Sequence, residues 1–470
     1  MTTDQADPRT APTPLPRWRS DLRLGTRIAM MRAGGLALAL RGDPVARLMH
    51  RPWRLDPYPT YARLRADAAA GGGVARSRTG IRAVASHEAA TAVLRDRRFG
   101  VRLADGRMPF DPRDTEQSGE HADRGAGASE SDDASSTTGG DPTDPEAALL
   151  EPIDLSLLGL DAPDHTRLRR LAQPTFAPKR LAQYRETART VTGKLLDAAP
   201  AQGPFDLVST LAAPLPISVI SELLAIPDVD TPRFAAWGRV VGAALDGVHS
   251  VRHAHALSRA TADLRSLFAD LVERRRADPG EDVISQLVHA LDEGTLTLDE
   301  LVSLAQLLLI AGFETTTNLV GNAVRALHAS GTWDDLAADP GLAASVVEET
   351  LRFDPPVQLT ARFAHEDVEL GGRTLRRDTG VLVLLASAGR DPAAHPDPDR
   401  FDPRREQTTA HLAFSGGAHY CLGAALARME GEVALELLAE RMPRLRPAGR
   451  LVPRVATVLR GPRRFPVRAD

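Results

Sequence analysis

The chain has one cysteine, Cys421, in the run Phe414-Ser415-Gly416-Gly417-Ala418-His419-Tyr420-Cys421-Leu422-Gly423. A lone thiol among glycines, opening a stretch with apolar residues at three- and four-residue spacing (Leu422, Leu426, Met429, Val433, Leu437), suggests a thiolate bound to a metal at a helix N-terminus. Backbone N–H groups and the helix dipole favour an anion there. On this loop alone two other readings stand: a structural buried thiol, or a hydrolase nucleophile with His419 as its base. A zinc site is weak, because there is no second cysteine to share it.

A second group of chemically capable residues interrupts an apolar helix. Thr297-x-x-Glu300 is a capping box, and the run it opens continues to about Leu327. Its middle reads Ala311-Gly312-Phe313-Glu314-Thr315-Thr316-Thr317-Asn318. Threonines and a glutamate are unfavourable inside such a helix unless they have partners or a task. Small residues, Ala311 and Gly312, would let a ligand approach closely, and Phe313 would shape the pocket. Further on, Glu349 and Arg352 share a helix face at i, i+3, and upstream His165 and Arg169 share one at i, i+4.

The elements that must hold these residues are mainly helical. Helical patterning dominates from Asp164 to about Leu351, strand-like runs occur near 74–86 and 368–385, and 443–470 reads as short strands. The segment 111–146 carries eleven Asp or Glu against two Arg and has no Phe, Tyr, Trp, Val or Ile, so it is expected to be a flexible insertion. Residues 1–20 are expected to be a disordered tail, and Ile28 to Leu40 a helix lying on the body. That stretch is too short to span a membrane. A net charge of −4 with 4% aromatics leaves no nucleic-acid footprint, and no secretory signal is visible. A cytoplasmic, soluble protein is expected.

The cysteine run resembles the haem-binding loop of the cytochrome P-450 family, Phe-x-x-Gly-x-His-x-Cys-x-Gly, at every fixed position. The other segments follow in that family's order, and the resemblance covers about residue 52 to the end apart from the acidic insertion. It implies a mainly α fold with a small β region, one domain over 21–470, and haem b with Cys421 as proximal iron ligand. Phe414, Gly417, Gly423, Ala311 and Gly312 would border the cofactor. Glu314 and Thr315 would be the acid–alcohol pair that passes protons to bound oxygen, on a helix locally widened to admit O₂ and water. Glu349, Arg352 and Arg405 would buttress the fold, while His165, Arg169, Arg362 and His419 would clamp the propionates. Leu307, Ile310, Ala311, Gln358, Leu359 and Thr360, with Val458, would lie near the substrate.

The implied reaction is O₂-dependent monooxygenation of a mostly hydrophobic small molecule by a monomeric enzyme of the bacterial type. Electrons would come from a separate ferredoxin and NAD(P)H-dependent ferredoxin reductase, docking near Arg169, Arg170, Arg180 and Arg428. A peroxide-driven peroxygenase and a non-catalytic haem sensor are the alternatives. The sequence departs from the family at Ser415, where Gly is frequent, at Gly389, where Asn is frequent, and at His395, where an aromatic is usual.

Overall fold

A computed structural model describes residues 17–109, 156–200, 203–227, 229–406 and 408–469. The acidic segment 111–146 therefore lies outside the described residues. The helix expected near Ile28 begins earlier, at Arg17, so residues 17–20 belong to it and not to a tail.

The helices that frame the site are α1 (Arg17–Leu40), α2 (His87–Arg95), α3 (Asp164–Ala172), α4 (Pro178–Ala198), α5 (Pro214–Leu223), α6 (Thr231–Ala244), α7 (Val251–Ala277), α8 (Leu298–Ser330), α9 (Ala343–Phe353) and α10 (Ala424–Arg441). At 33 residues, α8 is about 50 Å long and runs through the core. Its start is fixed reciprocally: Glu300 N–H donates to Thr297 Oγ1 at 3.2 Å, and Thr297 N–H donates to Glu300 Oε2 at 2.9 Å. Its end is fixed by Gly331, whose φ of 74° lets the chain leave in the left-handed region. Leu301, Leu304, Leu309, Leu319, Val320 and Ala323 bury both ends of α8 against α5, α6, α9 and α10.

A five-stranded sheet lies to one side. Its strands are β1 (Ala75–Arg76), β2 (Arg82–Val84), β3 (Phe99–Gly100), β4 (Thr360–Ala364) and β5 (Gly380–Val383), in spatial order β1-β2-β5-β4-β3. Only β2 and β5 pair in parallel. The register sets Arg362 opposite Val381, and Arg362 is itself buried. The strand expected through Leu385 stops at Val383, and Leu385–Ala388 forms a helical turn.

A buried ion pair joins α9 to the irregular stretch before the cysteine loop. Arg352 donates from Nε and Nη2 to the two oxygens of Glu349, both at 2.8 Å, and neither side chain has any exposure. Its remaining donors reach the carbonyls of Gly389 and Pro398 at 2.8 Å and of Arg400 at 3.0 Å. Glu349 also accepts from Asp402 N–H at 2.8 Å and from Arg405 Nε at 3.4 Å. One arginine fork thus ties three loop carbonyls to a helix. The carbonyl of Arg352 would lie 2.2 Å from a Cβ at position 389, which accounts for glycine there.

Candidate active site

Phe414 to Gly423 forms a tight loop. Cys421 N–H donates to Phe414 O at 2.9 Å, and Ser415 N–H to Leu412 O at 2.8 Å. Ser415 has φ 63°, a conformation that favours glycine, which is the physical content of this departure from the family pattern. Gly417 has φ 64°, and a Cβ there would lie 2.2 Å from the carbonyl of Leu94 in α2. Its smallness therefore serves contact between the loop and α2, not room for a ligand.

α10 begins at Ala424, so Leu422 and Gly423 form a turn and Cys421 precedes the helix by three residues. The Cys421 side chain is accessible on one side, yet protein surrounds it closely enough for burial to push its thiol pKa up. The N–H of Gly423 and the charges of Arg169 and Arg428 pull in the opposite direction.

α8 turns one face of its middle toward an open space. Ala311 is exposed and Thr315 half-buried, although Leu308 to Ile310 and Thr316 to Ala323 are buried. Thr315 Oγ1 donates to Ala311 O at 2.8 Å, and Thr316 Oγ1 to Gly312 O at 3.2 Å. The helix is α throughout, so the expected local widening is absent; the threonines bond back to carbonyls one turn earlier. Gly312 does not face this space either. A Cβ on it would be 2.9 Å from Ile220 Cδ1, so it admits α5. Phe313 is buried against Gly238 of α6 and shapes no pocket.

Glu314 is 4% exposed and forms an ion pair with Arg454 from the C-terminal segment. Burial pushes its carboxyl pKa up, and Arg454 only partly offsets this. The pair fits because α6 carries Gly238 and Gly242: a Cβ at 238 would be 2.6 Å from Glu314 Oε1, and one at 242 would be 3.2 Å from Leu459 Cδ1. Asp246, just past α6, holds the same segment by accepting from Thr457 N–H at 2.6 Å and Val458 N–H at 2.8 Å. Sequence reasoning missed Arg454 and Asp246. Their partners lie 140 and about 210 residues away in the chain, and no spacing rule reaches that far.

Four cationic or ionisable groups converge beside the loop. The rings of His165 and His419 are 4.2 Å apart. Arg169 donates to Tyr420 O at 2.7 Å, and Arg362 donates to Thr360 Oγ1 at 3.0 Å, Ala361 O at 2.8 Å and Ser415 Oγ at 3.3 Å. Among the described residues neither arginine has a carboxylate within ion-pair distance. Burial pulls the Arg362 pKa down to about 10 and that of His165 to about 4, where His419 and Arg169 add to the effect. Among the described residues, Asp161 is the carboxylate that acts on His165, Arg362 and His419. Burial would raise its pKa, but His419 and the N–H groups of Arg102 and Val101 hold it at about 2. The cluster thus has more positive charge than this carboxylate can balance, and a dianionic group matches it.

The sole accessible thiol, the open middle of α8 and this cation cluster fit a haem, with Cys421 as its sulfur donor. The remaining expected residues divide. Leu307 and Thr360 are half-buried, Ile310 and Leu359 nearly buried, and Val458 half-buried. Gln358 is a correction: at 1% exposure its amide donates to Pro355 O at 2.7 Å and accepts from Tyr61 at 3.3 Å, so it faces the core. Gly423 would meet Phe176 at an ordinary 3.7 Å through an added Cβ. Among the suggested docking arginines, Arg428 is paired with Glu348 at 2.5 Å and Arg180 with Glu281 at 3.6 Å, while Arg170 is exposed and unpaired among the described residues. Glu430 was also missed. It is 1% exposed, burial pushes its pKa up to about 8, and Thr316 is its hydrogen-bond partner; its sequence signal was a carboxylate within a buried stretch of α10.

A mainly helical fold with a glycine-rich cysteine loop before one long helix and a core helix interrupted by Glu314 and Thr315 defines a class of haem proteins, and comparison with known proteins agrees. The family model "Cytochrome P-450" matches residues 320–442. Cytochrome P-450 monooxygenase PikC of Streptomyces venezuelae is 37% identical over 428 residues, 88% of this chain and 91% of that protein. The 6-deoxyerythronolide B hydroxylase of Saccharopolyspora erythraea is 40% identical over 318 residues, 66% and 77% of the two chains. The ligand-free crystal structure of Mycobacterium smegmatis CYP164A2 superposes with a TM-score of 0.75 at 35% identity, covering 91% of this chain and 99% of that one. The chain belongs to the cytochrome P-450 family and is a monooxygenase of the bacterial type. Among the described residues no helix is long and apolar enough to cross a membrane.

Proposed function

We propose that this chain, as one domain over 21–470 and as a monomer, holds haem b through Cys421 and hydroxylates a mostly hydrophobic small organic molecule. Electrons are supplied by a separate ferredoxin and its NAD(P)H-dependent reductase. The observation that carries this reading is the group of cations set against the loop of the one cysteine, with Arg169 on Tyr420 O and Arg362 on Ser415 Oγ, together with the exposed middle of α8.

When bound, the haem supplies reductive activation of O₂. His165, Arg169, Arg362 and His419 bind its propionates, and Phe414 borders it. Thr315 holds oxygen and water by its hydroxyl, which in the structure rests on Ala311 O. Glu314 moves protons toward Thr315, and the upward push of burial on its carboxyl pKa lets it hold a proton more readily than an exposed carboxylate. Leu307, Ile310, Ala311, Leu359 and Thr360 present a largely apolar wall to the substrate. Arg170 offers a free charge for an acidic ferredoxin.

Thr315→Ala tests the proton role. The variant is expected to keep its haem and to divert reducing equivalents to hydrogen peroxide. Unchanged coupling of NAD(P)H consumption to product would overturn the assignment.

A further inference from the structure

We propose that α1 lies flat on an anionic lipid surface and docks the protein there as a peripheral membrane protein. Of the ten large apolar side chains exposed among the described residues, five belong to this one helix: Leu22, Met30, Met31, Leu36 and Leu40. Scattered exposed apolar residues are ordinary, but concentration on one element is not.

Their placement follows the helical period. At about 100° per residue, Leu22, Ala29, Ala33, Leu36 and Leu40 fall within about 60° of one another, with Met30 beside them. All six are exposed. The buried residues Leu24 and Ile28 fall on the far side, where they meet Ala254 of α7; buried Ala39 lies on a flank, and exposed Met31 stands apart from the stripe. From Leu22 to Leu40 the outer stripe is about 27 Å long. A helix apolar on both sides, with one side already packed, needs a second apolar phase.

Charge selects that phase. Arg23 lies on one flank of the stripe and Arg32 on the other, with Arg27 behind Arg23. No carboxylate pairs with these three among the described residues; Arg32 reaches only His249 O at 3.4 Å. Residues 17–54 hold nine Arg and two Asp, a local net charge of +7 in a chain whose total is −4. One of the two acids, Asp43, is buried and caps the short helix Pro44–Met49; the other, Asp21, faces His255 at 3.1 Å. Arginines flanking an apolar stripe match phosphate headgroups around acyl chains. A second copy of the chain would set the same positive charges against each other, which disfavours self-association through this face.

The test uses the purified full-length holoprotein in vesicle co-sedimentation. Binding to phosphatidylcholine–phosphatidylglycerol vesicles is expected to exceed binding to pure phosphatidylcholine by about fivefold for each arginine at the surface, and to fall as salt rises. Met30→Glu with Leu36→Glu should reduce binding at least about tenfold, with the visible spectrum and unfolding midpoint unchanged because both side chains are exposed. Absence of sedimentation with anionic vesicles overturns the proposal. So does equal binding by the double variant, or a wild-type dimer in solution that the same variant dissociates.

Discussion

Replacing Arg352 by alanine removes five hydrogen bonds at a site without solvent. The bidentate pair with Glu349 is fully buried, so its loss leaves a buried carboxylate held only by weaker contacts such as Arg405 Nε at 3.4 Å and Asp402 N–H, and costs about 3–5 kcal/mol. The carbonyls of Gly389, Pro398 and Arg400 lose their shared donor, at roughly 1 kcal/mol or more each. The total, at least about 6 kcal/mol, approaches the whole stability of an ordinary domain, about 5–15 kcal/mol. Arg352→Ala is therefore expected to yield little soluble protein, and what is recovered should melt far below the wild type by far-ultraviolet circular dichroism. Arg352→Lys keeps the charge without the fork and should fall between the two. Glu349→Leu combined with Arg352→Leu removes both charges and should lose less than the two single leucine substitutions summed. A wild-type melting temperature for Arg352→Ala, or a double variant worse than that sum, would refute the reasoning.

Arg454→Met removes the charge that draws the Glu314 pKa down, so the carboxyl should ionise at higher pH than before. Product formed per NAD(P)H should fall and its pH profile should move upward, with Arg454→Lys largely restoring both; an identical profile in the methionine variant counts against the pairing. Glu430 has a folded pKa of about 8 against 4.5, so the stability it permits is full below about 4.5 and lost as pH rises toward 8. Glu430→Gln should remove that loss and stabilise the protein at pH 8 by about 2–4 kcal/mol; coincident melting curves would contradict this. For His395 the sign is reversed: its pKa is lowered by burial first and then by Arg352, to about 4 from 6.5, so stability is full above about 6.5 and lost as pH falls toward 4. The ring is 3% exposed but has polar neighbours, which discounts the full-burial value; His395→Phe should gain about 1–2 kcal/mol at pH 5 and nothing at pH 8, and a gain independent of pH would exclude the titration.

What the sequence made legible was what chemistry writes locally. Cys421, Glu314-Thr315, Glu349-x-x-Arg352 and the Thr297 capping box each occupy a short window, and local hydrogen bonding or helical period gives each window meaning. The glycines were legible as small but not as to whom: Gly312 yields to Ile220 and Gly417 to Leu94 O, neighbours that only tertiary packing supplies. Arg454 and Asp246 were hidden for the same reason. An Arg in an Arg-rich tail has no periodicity to distinguish it, and its partner is chosen by how α6 crosses α8. Gln358 was misassigned because a polar residue beside a strand can turn to either side, and the Tyr61 hydroxyl with Pro355 O turns it inward. α1 was read as a helix resting on the body; its outward apolar stripe was within reach of the same periodicity.

The central claim is that the one thiol ligates iron. The absorption spectrum of the purified protein, reduced and saturated with carbon monoxide, tests it most directly. Thiolate ligation predicts the strongly red-shifted Soret band in the wild type and its disappearance in Cys421→Ala. A band at the position of a neutral proximal ligand in freshly prepared native protein, or the red-shifted band persisting without Cys421, would contradict the account.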